Sequence, residues 1–194
     1  MNMAGRVAGK IKLQTVDELL GVPEIAGTQE IELGRIHAFP NHPFKVLDDE
    51  RMDMLVESIR ENGILNPVIV RPDKNGDYEM ISGHRRLHAA GIVGLSKIPA
   101  IVKEMSDDEA IIKMVDANIQ REEIMPSEKA FAYKMKLEAM KRTAGRPTKE
   151  NACHNGTHLR SDQELALQVG DSARSIQRYI RLTELIPELL ECID

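Results

Sequence analysis

The chain has 194 residues, of which 42% are hydrophobic, enough for one large domain or two small ones with a buried core. No apolar run approaches the ~20 residues of a membrane helix and no signal-peptide core is visible, which predicts a cytoplasmic protein without membrane contact. The formal net charge of -5 argues against a general nucleic-acid binder, although residues 141–181 hold eight Lys or Arg against four Asp or Glu. A confined DNA contact in that region is compatible with this distribution.

Residues 1–28 lack a clear period and are expected to form a flexible N-terminal arm. The rest of the first hundred residues alternates strand and helix patterns, which predicts a compact α/β unit. Residues 49–62 carry apolar side chains at the spacing of an amphipathic helix, with Gly63 as its stop. Asn75-Gly76 predicts a hairpin. The predicted strands are residues 29–36, 67–71, 77–81 and 97–103.

An apolar run leads into Ser82-Gly83-His84-Arg85-Arg86, which we expect to open a helix that ends at Gly91. Free backbone N–H groups, the positive end of the helix dipole and two arginines predict a phosphate site at this helix start. The alternative is a helix whose arginines make only surface salt bridges. His84 and His88 also have the i, i+4 spacing of a zinc pair, but two neighbouring arginines would repel the metal.

From residue 105 the pattern becomes helical, beginning with a capping box at Ser106–Glu109. Residues 143–160 have no usable period and are expected to form a linker or an exposed insertion. Within them, Cys153 with His154 and His158 suggests a metal cluster, and Gly145-Arg146-Pro147 is similar to the centre of an AT-hook. A plain linker is the favoured interpretation of both.

Residues 161–182 have the pattern of two short helices separated by Gly170-Asp171, which predicts a helix-turn-helix. The second helix places apolar residues on one side and basic or amide side chains on the other, as a DNA recognition helix requires. The alternative is a solvated charged face on an ordinary helical hairpin. The expected DNA contacts are Ser172, Ala173, Arg174, Ser175, Gln177, Arg178 and Arg181.

Gly83-His84-Arg85-Arg86, with the small residues that follow, resembles the arginine box of the ParB family of plasmid and chromosome partition proteins. Residues 55–71 and 117–121 resemble the family's first and third boxes, and the helix pair extends the resemblance over about residues 29–190. It implies an α+β fold: a small ParB/sulfiredoxin-like α/β domain at residues 29–104, followed by an all-helical DNA-binding domain at residues 105–194. The insertion resembles one found in ParB-like proteins of mobile elements.

The resemblance also implies a function: a CTP-controlled, dimeric clamp on specific double-stranded DNA sites that acts in plasmid or chromosome segregation. It implies Mg²⁺ with the nucleotide, held in part by Asn118, a ParA-type ATPase as a partner, and a location on the nucleoid or a plasmid. The residues that it assigns to the nucleotide are Ser82, Gly83, His84, Arg85, Arg86, Asn118, Gln120 and Arg121.

Two residues depart from the family pattern, since His84 and Ala117 each stand where the family has glutamate. They predict a site that binds the nucleotide and is at most a weak CTPase. Sulfiredoxin activity would need a cysteine in the arginine box, which has none. A ParB-like nuclease would need a carboxylate-held metal, for which Asp116 with Asp107 and Asp108 is a thin cluster. Transcriptional regulation or nucleoid occlusion on the same scaffold stays open as an alternative to partition.

Overall fold

The computed structural model describes residues 27–119, 121, 124–143, 161–192 and 194. The described chain folds into one mixed sheet with helices on both faces, and further helices follow, which confirms the α+β class. The strands are β1 (Thr28–Glu32), β2 (Ile36–His37), β3 (Val68–Pro72), β4 (Tyr78–Ser82) and β5 (Lys97–Val102). The helices are α1 (Glu50–Asn62), α2 (His84–Val93), α3 (Asp107–Ile119), α4 (Pro126–Thr143), α5 (Ser161–Val169), α6 (Ala173–Leu182) and α7 (Pro187–Glu191).

The sheet has the strand order β1-β5-β3-β4-β2. The predicted hairpin is confirmed: β3 and β4 are antiparallel, and Gly76 adopts a φ of 85° in the turn between them. β5 lies parallel to β3, and β2 lies parallel to β4. The register of β3 and β4 shifts so that Ile81 has no partner, which is a bulge one residue before the strand ends at Ser82.

The prediction of a single strand at residues 29–36 was wrong. The chain forms β1, then a 3-10 turn at Leu33–Arg35, then β2, and the two strands lie at opposite edges of the sheet. The apolar residues Leu33 and Ile36 are three positions apart, so one regular strand would direct them to opposite faces. The turn removes this conflict and lets Ile36 enter the core.

Helix α1 follows its prediction closely. The carboxylate of Asp49 accepts a hydrogen bond from the N–H of Met52 at 2.8 Å, and Gly63 ends the helix with a φ of 68°. Met52, Val56 and Ile59 are buried against α2, so the amphipathic pattern was interpreted correctly. These contacts hold the first turn of α1 beside the start of α2.

Helix α2 begins at the predicted position but does not end at Gly91. It continues to Val93, where Gly94 takes the left-handed conformation and its N–H donates to the carbonyl of Ala90 at 3.0 Å. Gly91 lies inside the helix, where glycine costs only about 0.5–1 kcal/mol relative to alanine. Gly91 and Gly94 both fit the local pattern of a helix stop, and only Gly94 ends the helix.

Strand β4 is buried on both faces. Met80 packs with Val68 and Val70 on the face that α2 covers, whereas Ile81 packs with Ala110 and Met114 of α3 on the other face. A predicted domain boundary near residue 104 would therefore cross a shared core. The capping box at the start of α3 is present, since Ser106 and Glu109 exchange hydrogen bonds.

Helices α5 and α6 pack on α4 through Leu165 and Ile176, which are fully buried with Tyr133 and Leu137. Gly170 has a φ of 73° in the turn between them. Among the described residues, no helix combines the length and the apolar character needed to cross a bilayer. Residues 1–26 and 144–160 lie outside the described residues, as do the metal-cluster and AT-hook interpretations of the insertion.

Candidate functional site

The junction between β4 and α2 is built around Gly83. Its φ of 114° is accessible to glycine but strained for other residues, and a Cβ atom there would lie 2.7 Å from Cγ1 of Val68. The first amides of α2 have no acceptor within the helix, and the cap position is Gly83, which has no side chain to accept from them. Gly83 therefore packs closely on β3 and leaves the first backbone N–H groups of α2 uncovered.

A cavity of about 410 Å³ lies at this helix start. Residues from three separate parts of the sequence line it together, namely α1, the end of β4 with the first turn of α2, and the end of α3 with Arg121. Seven of the eight residues predicted for the nucleotide line this one space, while Gln120 lies outside the described residues. They are Ser82, Gly83, His84, Arg85, Arg86, Asn118 and Arg121.

Two lining residues from α1, Arg51 and Leu55, were not predicted. They share one helix face because they are four positions apart. This i, i+4 spacing did not mark them as site residues, since any exposed helix face has the same spacing. Their place in the site depends on the packing of α1 against α2.

The arginines of the cavity have different amounts of freedom. Arg86 donates through Nη1 to the carbonyl of Pro67 at 2.9 Å and to that of Asn66, which holds it against the loop before β3. Arg85 reaches Asp49 at 3.4 Å, while its buried Nε has no hydrogen-bond partner in the described chain. Burial lowers the pKa of Arg86 and of Arg121, and the charge of Arg85 lowers that of Arg121 further. The site therefore concentrates positive charge that an anion would relieve.

His84 is a buried, neutral member of the lining. Its ring stacks on that of His42 with centroids 3.8 Å apart, and its Nε2 has no partner among the described residues. Burial, then the nearby charges of His42 and Arg121, lower its pKa to about 3. His88 instead bonds to Asp48 at 2.7 Å on the surface. In the described parts of the chain, no group of three His, Cys, Asp or Glu side chains is arranged to hold a metal.

Asp116, Ala117 and Asn118 at the end of α3 lie in three different environments. Asn118 is buried, and its amide nitrogen donates to the carbonyl of Met114 at 2.8 Å. Ala117 is exposed and lines the cavity. Asp116 pairs with Lys136, whose side chain is buried in α4. The carboxylate nearest in sequence to the family's missing glutamate is thus engaged with another helix and is not part of the cavity lining.

The donor set of the cavity does not fit a protein-bound Mg²⁺. This ion prefers oxygen ligands and usually one or two carboxylates. Among the described lining residues, the side-chain oxygens are the hydroxyl of Ser82 and the amide oxygen of Asn118, and four arginines surround them. We therefore derive no step through a bound Mg²⁺.

A second cavity of about 640 Å³ shares Arg51, Arg85 and Arg121 with the first. Glu128 lies on its wall, where its carboxylate accepts a hydrogen bond from the N–H of Lys45 at 2.7 Å. The two cavities meet at the same three arginines, so a ligand that contacts these arginines could extend from one cavity into the other.

The helix pair α5–α6 exposes a basic face. Arg174, Gln177, Arg178 and Arg181 are exposed, whereas Ile176 is buried against α4. At the start of α6, Ser172 is exposed and accepts a hydrogen bond from the N–H of Ser175 at 3.0 Å. Ala173 and Ser175 are partly exposed beside it. All seven predicted DNA contacts thus lie on or beside one exposed helix.

The turn before α6 is attached to α4. The hydroxyl of Tyr133 donates to Asp171, and Nζ of Lys129 lies 2.9 Å from the same carboxylate. These hydrogen bonds lower the pKa of Asp171, while burial, followed by Asp171, raises that of Tyr133. The contacts fix the orientation of α6 on α4.

Comparison with known proteins places the chain in a family. The model of the ParB N-terminal domain matches residues 16–119, which is more than half of the chain. The chain belongs to the ParB family. The chromosome-partitioning protein Spo0J of Thermus thermophilus is 35% identical over 169 residues, covering 87% of this chain and 55% of that protein. A nucleoid occlusion protein of Listeria monocytogenes is 31% identical over 190 residues, covering 96% of this chain and 59% of that protein.

This ParB-family chain thus spans between half and two thirds of the length of these two relatives. Its fold is also similar to a solved structure of the C-terminally truncated chromosome-partitioning protein ParB of Caulobacter crescentus, complexed to the centromeric parS site. The TM-score is 0.52 at 24% identity, with 84% of this chain and 75% of that chain covered. This likeness supports the ParB fold.

Proposed function

We propose that this chain is a DNA-binding partition protein of the ParB family, in which CTP controls a dimeric clamp on specific double-stranded DNA sites. The observation that carries the proposal is the cavity beside Gly83, where two distant sequence boxes supply one arginine-rich lining. The Thermus thermophilus relative is named a chromosome-partitioning protein, which supports the same process for this chain.

The cavity supports a nucleotide ligand by its chemistry. Guanidinium groups make charge-assisted hydrogen bonds to phosphate oxygens, and the bare start of α2 adds oriented N–H groups and a favourable dipole. The two adjoining cavities, of about 410 and 640 Å³, have volumes typical of small-molecule sites. The choice of CTP over other nucleoside triphosphates rests on family membership.

The exposed face of α6 supports the DNA contact. Arginine and glutamine can pair with guanine and adenine edges, while further arginines bind phosphates. Small residues at the helix start allow a close approach to the groove. Arg174, Arg178 and Arg181 are all exposed on α6, so each can reach a DNA strand laid along this face. In the nucleotide site, Arg85 makes a 3.4 Å contact with Asp49.

Association into a homodimer, a ParA-type ATPase partner and a cytoplasmic location on the nucleoid or a plasmid belong to the same proposal. Nucleoid occlusion is a second candidate function, which the Listeria monocytogenes relative favours. A ParA-type ATPase gene beside this one would favour partition over occlusion or regulation. A nuclease function gains no support, because Asp116 is paired with Lys136 and does not line the cavity.

Gel-shift titrations with a duplex that carries a parS site and with a scrambled duplex test the DNA contact. We expect Arg174→Ala and Arg178→Ala each to weaken specific binding about tenfold, and the loss of one phosphate contact to reduce the slope of log K against log salt by about 0.9. Arg60→Ala is the matched control, since Arg60 is an exposed arginine of α1. Unchanged affinity in the double variant Arg174→Ala/Arg178→Ala would reject the assignment.

Calorimetric titration with CTP, ATP and GTP, with and without the parS duplex, tests the nucleotide site. We expect CTP to bind most tightly and Arg85→Ala to weaken its binding about tenfold or more, because a hydrogen bond to a charged group contributes about 1.5–3 kcal/mol. Arg35→Ala is the control, since that arginine pairs with Asp77 away from the cavity. If no nucleotide binds under any condition, the α/β part does not have the proposed role.

A further inference from the structure

We infer that the cavity binds the triphosphate chain as a free polyanion, with arginines rather than a divalent cation neutralising the phosphates. The inference rests on the proposed nucleotide function and specifies how that site recognises its ligand. It predicts that nucleotide binding does not require Mg²⁺.

The charges in the cavity match such a ligand. Four arginines line it: Arg51, Arg85, Arg86 and Arg121. Each carries a positive charge, and a nucleoside triphosphate carries about four negative charges when its terminal phosphate is fully ionised. A bound Mg²⁺ would remove about half of that negative charge and so weaken the attraction to the arginines.

The cations of the cavity are placed close enough to disfavour a further cation. The charge of Arg85 contributes to lowering the pKa of Arg121, which means that the two guanidinium groups repel each other in the described structure. Nε of Arg85 is buried without a hydrogen-bond partner among the described residues. A buried charged donor without an acceptor is costly, so the Arg85 guanidinium has hydrogen-bonding capacity left for a phosphate oxygen.

Three carboxylates line the second cavity in the described chain, and each already has other partners. That of Asp194 accepts hydrogen bonds from the N–H and the hydroxyl of Ser127. Asp49 accepts hydrogen bonds from the N–H of Met52 at 2.8 Å and from Arg85 at 3.4 Å, which ties it to the start of α1. Glu128 accepts from the backbone of Lys45. None of the three is among the described residues that line the first cavity. A metal beside the helix start would therefore compete for carboxylates that already accept hydrogen bonds from the protein.

The position of Ala117 allows a direct test. Ala117 is exposed on α3 and lines the cavity next to Asn118, so a longer side chain there can reach the ligand without entering the core. A carboxylate at this position would add the oxygen donor that a Mg²⁺ site needs, and it would repel a metal-free triphosphate. An amide of the same length adds no charge.

The test is calorimetric titration of the full chain with CTP, in excess MgCl₂ and in EDTA at matched ionic strength. We expect the Kd for CTP in EDTA to be no more than about three times the Kd in MgCl₂. Inorganic tripolyphosphate in EDTA should compete with CTP, since the arginines recognise the phosphate chain. A larger loss of affinity in EDTA, or no competition by tripolyphosphate, overturns the inference while the proposed function stands.

The variants Ala117→Glu and Ala117→Gln give the matched comparison. The first should make binding depend on Mg²⁺, with affinity in EDTA at least about tenfold below that in Mg²⁺. The second should keep the wild-type ratio between the two conditions, whatever its affinity. Equal ratios for both variants overturn the inference. If wild-type protein binds CTP in neither condition, the proposed function fails and the inference fails with it.

Discussion

The geometry of the site depends on Gly83 because this residue has no side chain. Its φ of 114° and the 2.7 Å that would separate an added Cβ from Val68 leave no room for another residue. The absence of a side chain lets β4 turn into α2 within one residue and keeps the first amides of the helix uncovered. The same residue therefore serves folding and the proposed anion binding.

We expect Gly83→Ala to lower the free energy of unfolding by about 2–4 kcal/mol, through backbone strain and overpacking against Val68. Gly91→Ala is the control, because Gly91 lies inside α2 with no atom within 4 Å of the added Cβ. It should stabilise the protein by about 0.5–1 kcal/mol. Urea unfolding measures both changes, and equal effects of the two substitutions would contradict the geometry at Gly83.

His84 should make stability depend on pH. Its pKa is about 3 in the folded chain against an ordinary value of 6.5, and the pKa of its neighbour His42 is also lowered, chiefly by burial. The unfolded state therefore binds more protons between these values, so the free energy of unfolding falls as the pH drops below about 6.5. At pH 5 the loss should be about 1–2 kcal/mol for His84.

Urea unfolding of the wild type and of His84→Gln at several pH values measures this contribution. The substitution removes the titrating group, so its stability should fall less steeply between about pH 7 and pH 4. The same experiment with His42→Gln separates the two stacked rings. Parallel curves for wild type and His84→Gln would show that His84 does not titrate as its environment implies.

Helix α6 combines a structural cap with the surface proposed to contact DNA. The hydroxyl of Ser172 accepts from the N–H of Ser175, so a residue expected to face DNA also stabilises the helix start. Three exposed arginines follow it along the helix. Stability and DNA affinity can therefore be separated at this position by choosing the substitution.

Ser172→Ala should lower the free energy of unfolding by about 1 kcal/mol, because it removes the cap. Ser172→Asp should retain the stability, since aspartate caps equally well, but should weaken DNA binding through repulsion of the phosphates. Thermal unfolding and gel shifts on the same three proteins provide the two measurements. If Ser172→Asp binds DNA as tightly as wild type, the start of α6 does not approach the backbone.

The described chain is joined through a core that continues from the sheet into the helices. Ile81 of β4 packs with Phe39, Phe44 and helix α3, and the next cluster joins α4 to α5 and α6. The proposed division into two domains near residue 104 thus coincides with a packed interface. Such packing favours cooperative unfolding of both parts.

We expect Ile81→Ala to lower the free energy of unfolding by about 2–5 kcal/mol, because it leaves a cavity in the shared core. Amide hydrogen exchange should then speed up at both Val70 in β3 and Ile176 in α6. Leu65→Ala is the control, since Leu65 is 74% exposed and its loss should change little. Faster exchange in the sheet alone would indicate two independently stable domains.

The amphipathic helix α1, the β3–β4 hairpin and the helix start after Gly83 followed from the sequence, because each depends on a local period or on the conformational preference of a few neighbouring residues. The fold family followed as well, since its boxes are recognisable in order. Local patterns gave the wrong structure at residues 29–36 and the wrong helix end at Gly91. At both places two structures fit the local sequence equally well, and contacts with distant residues decide between them.

The surroundings of the site residues were decided only by tertiary structure. Arg51 joins the cavity because α1 packs on α2, His84 is neutral because His42 and the core bury it, and Asp116 is engaged because a buried lysine lies on α4. The sequence by itself identified most of the residues that are proposed to bind phosphate. Contacts between segments far apart in the chain decide which charged groups lie close together and which carboxylates are already paired. A local sequence pattern does not encode those contacts.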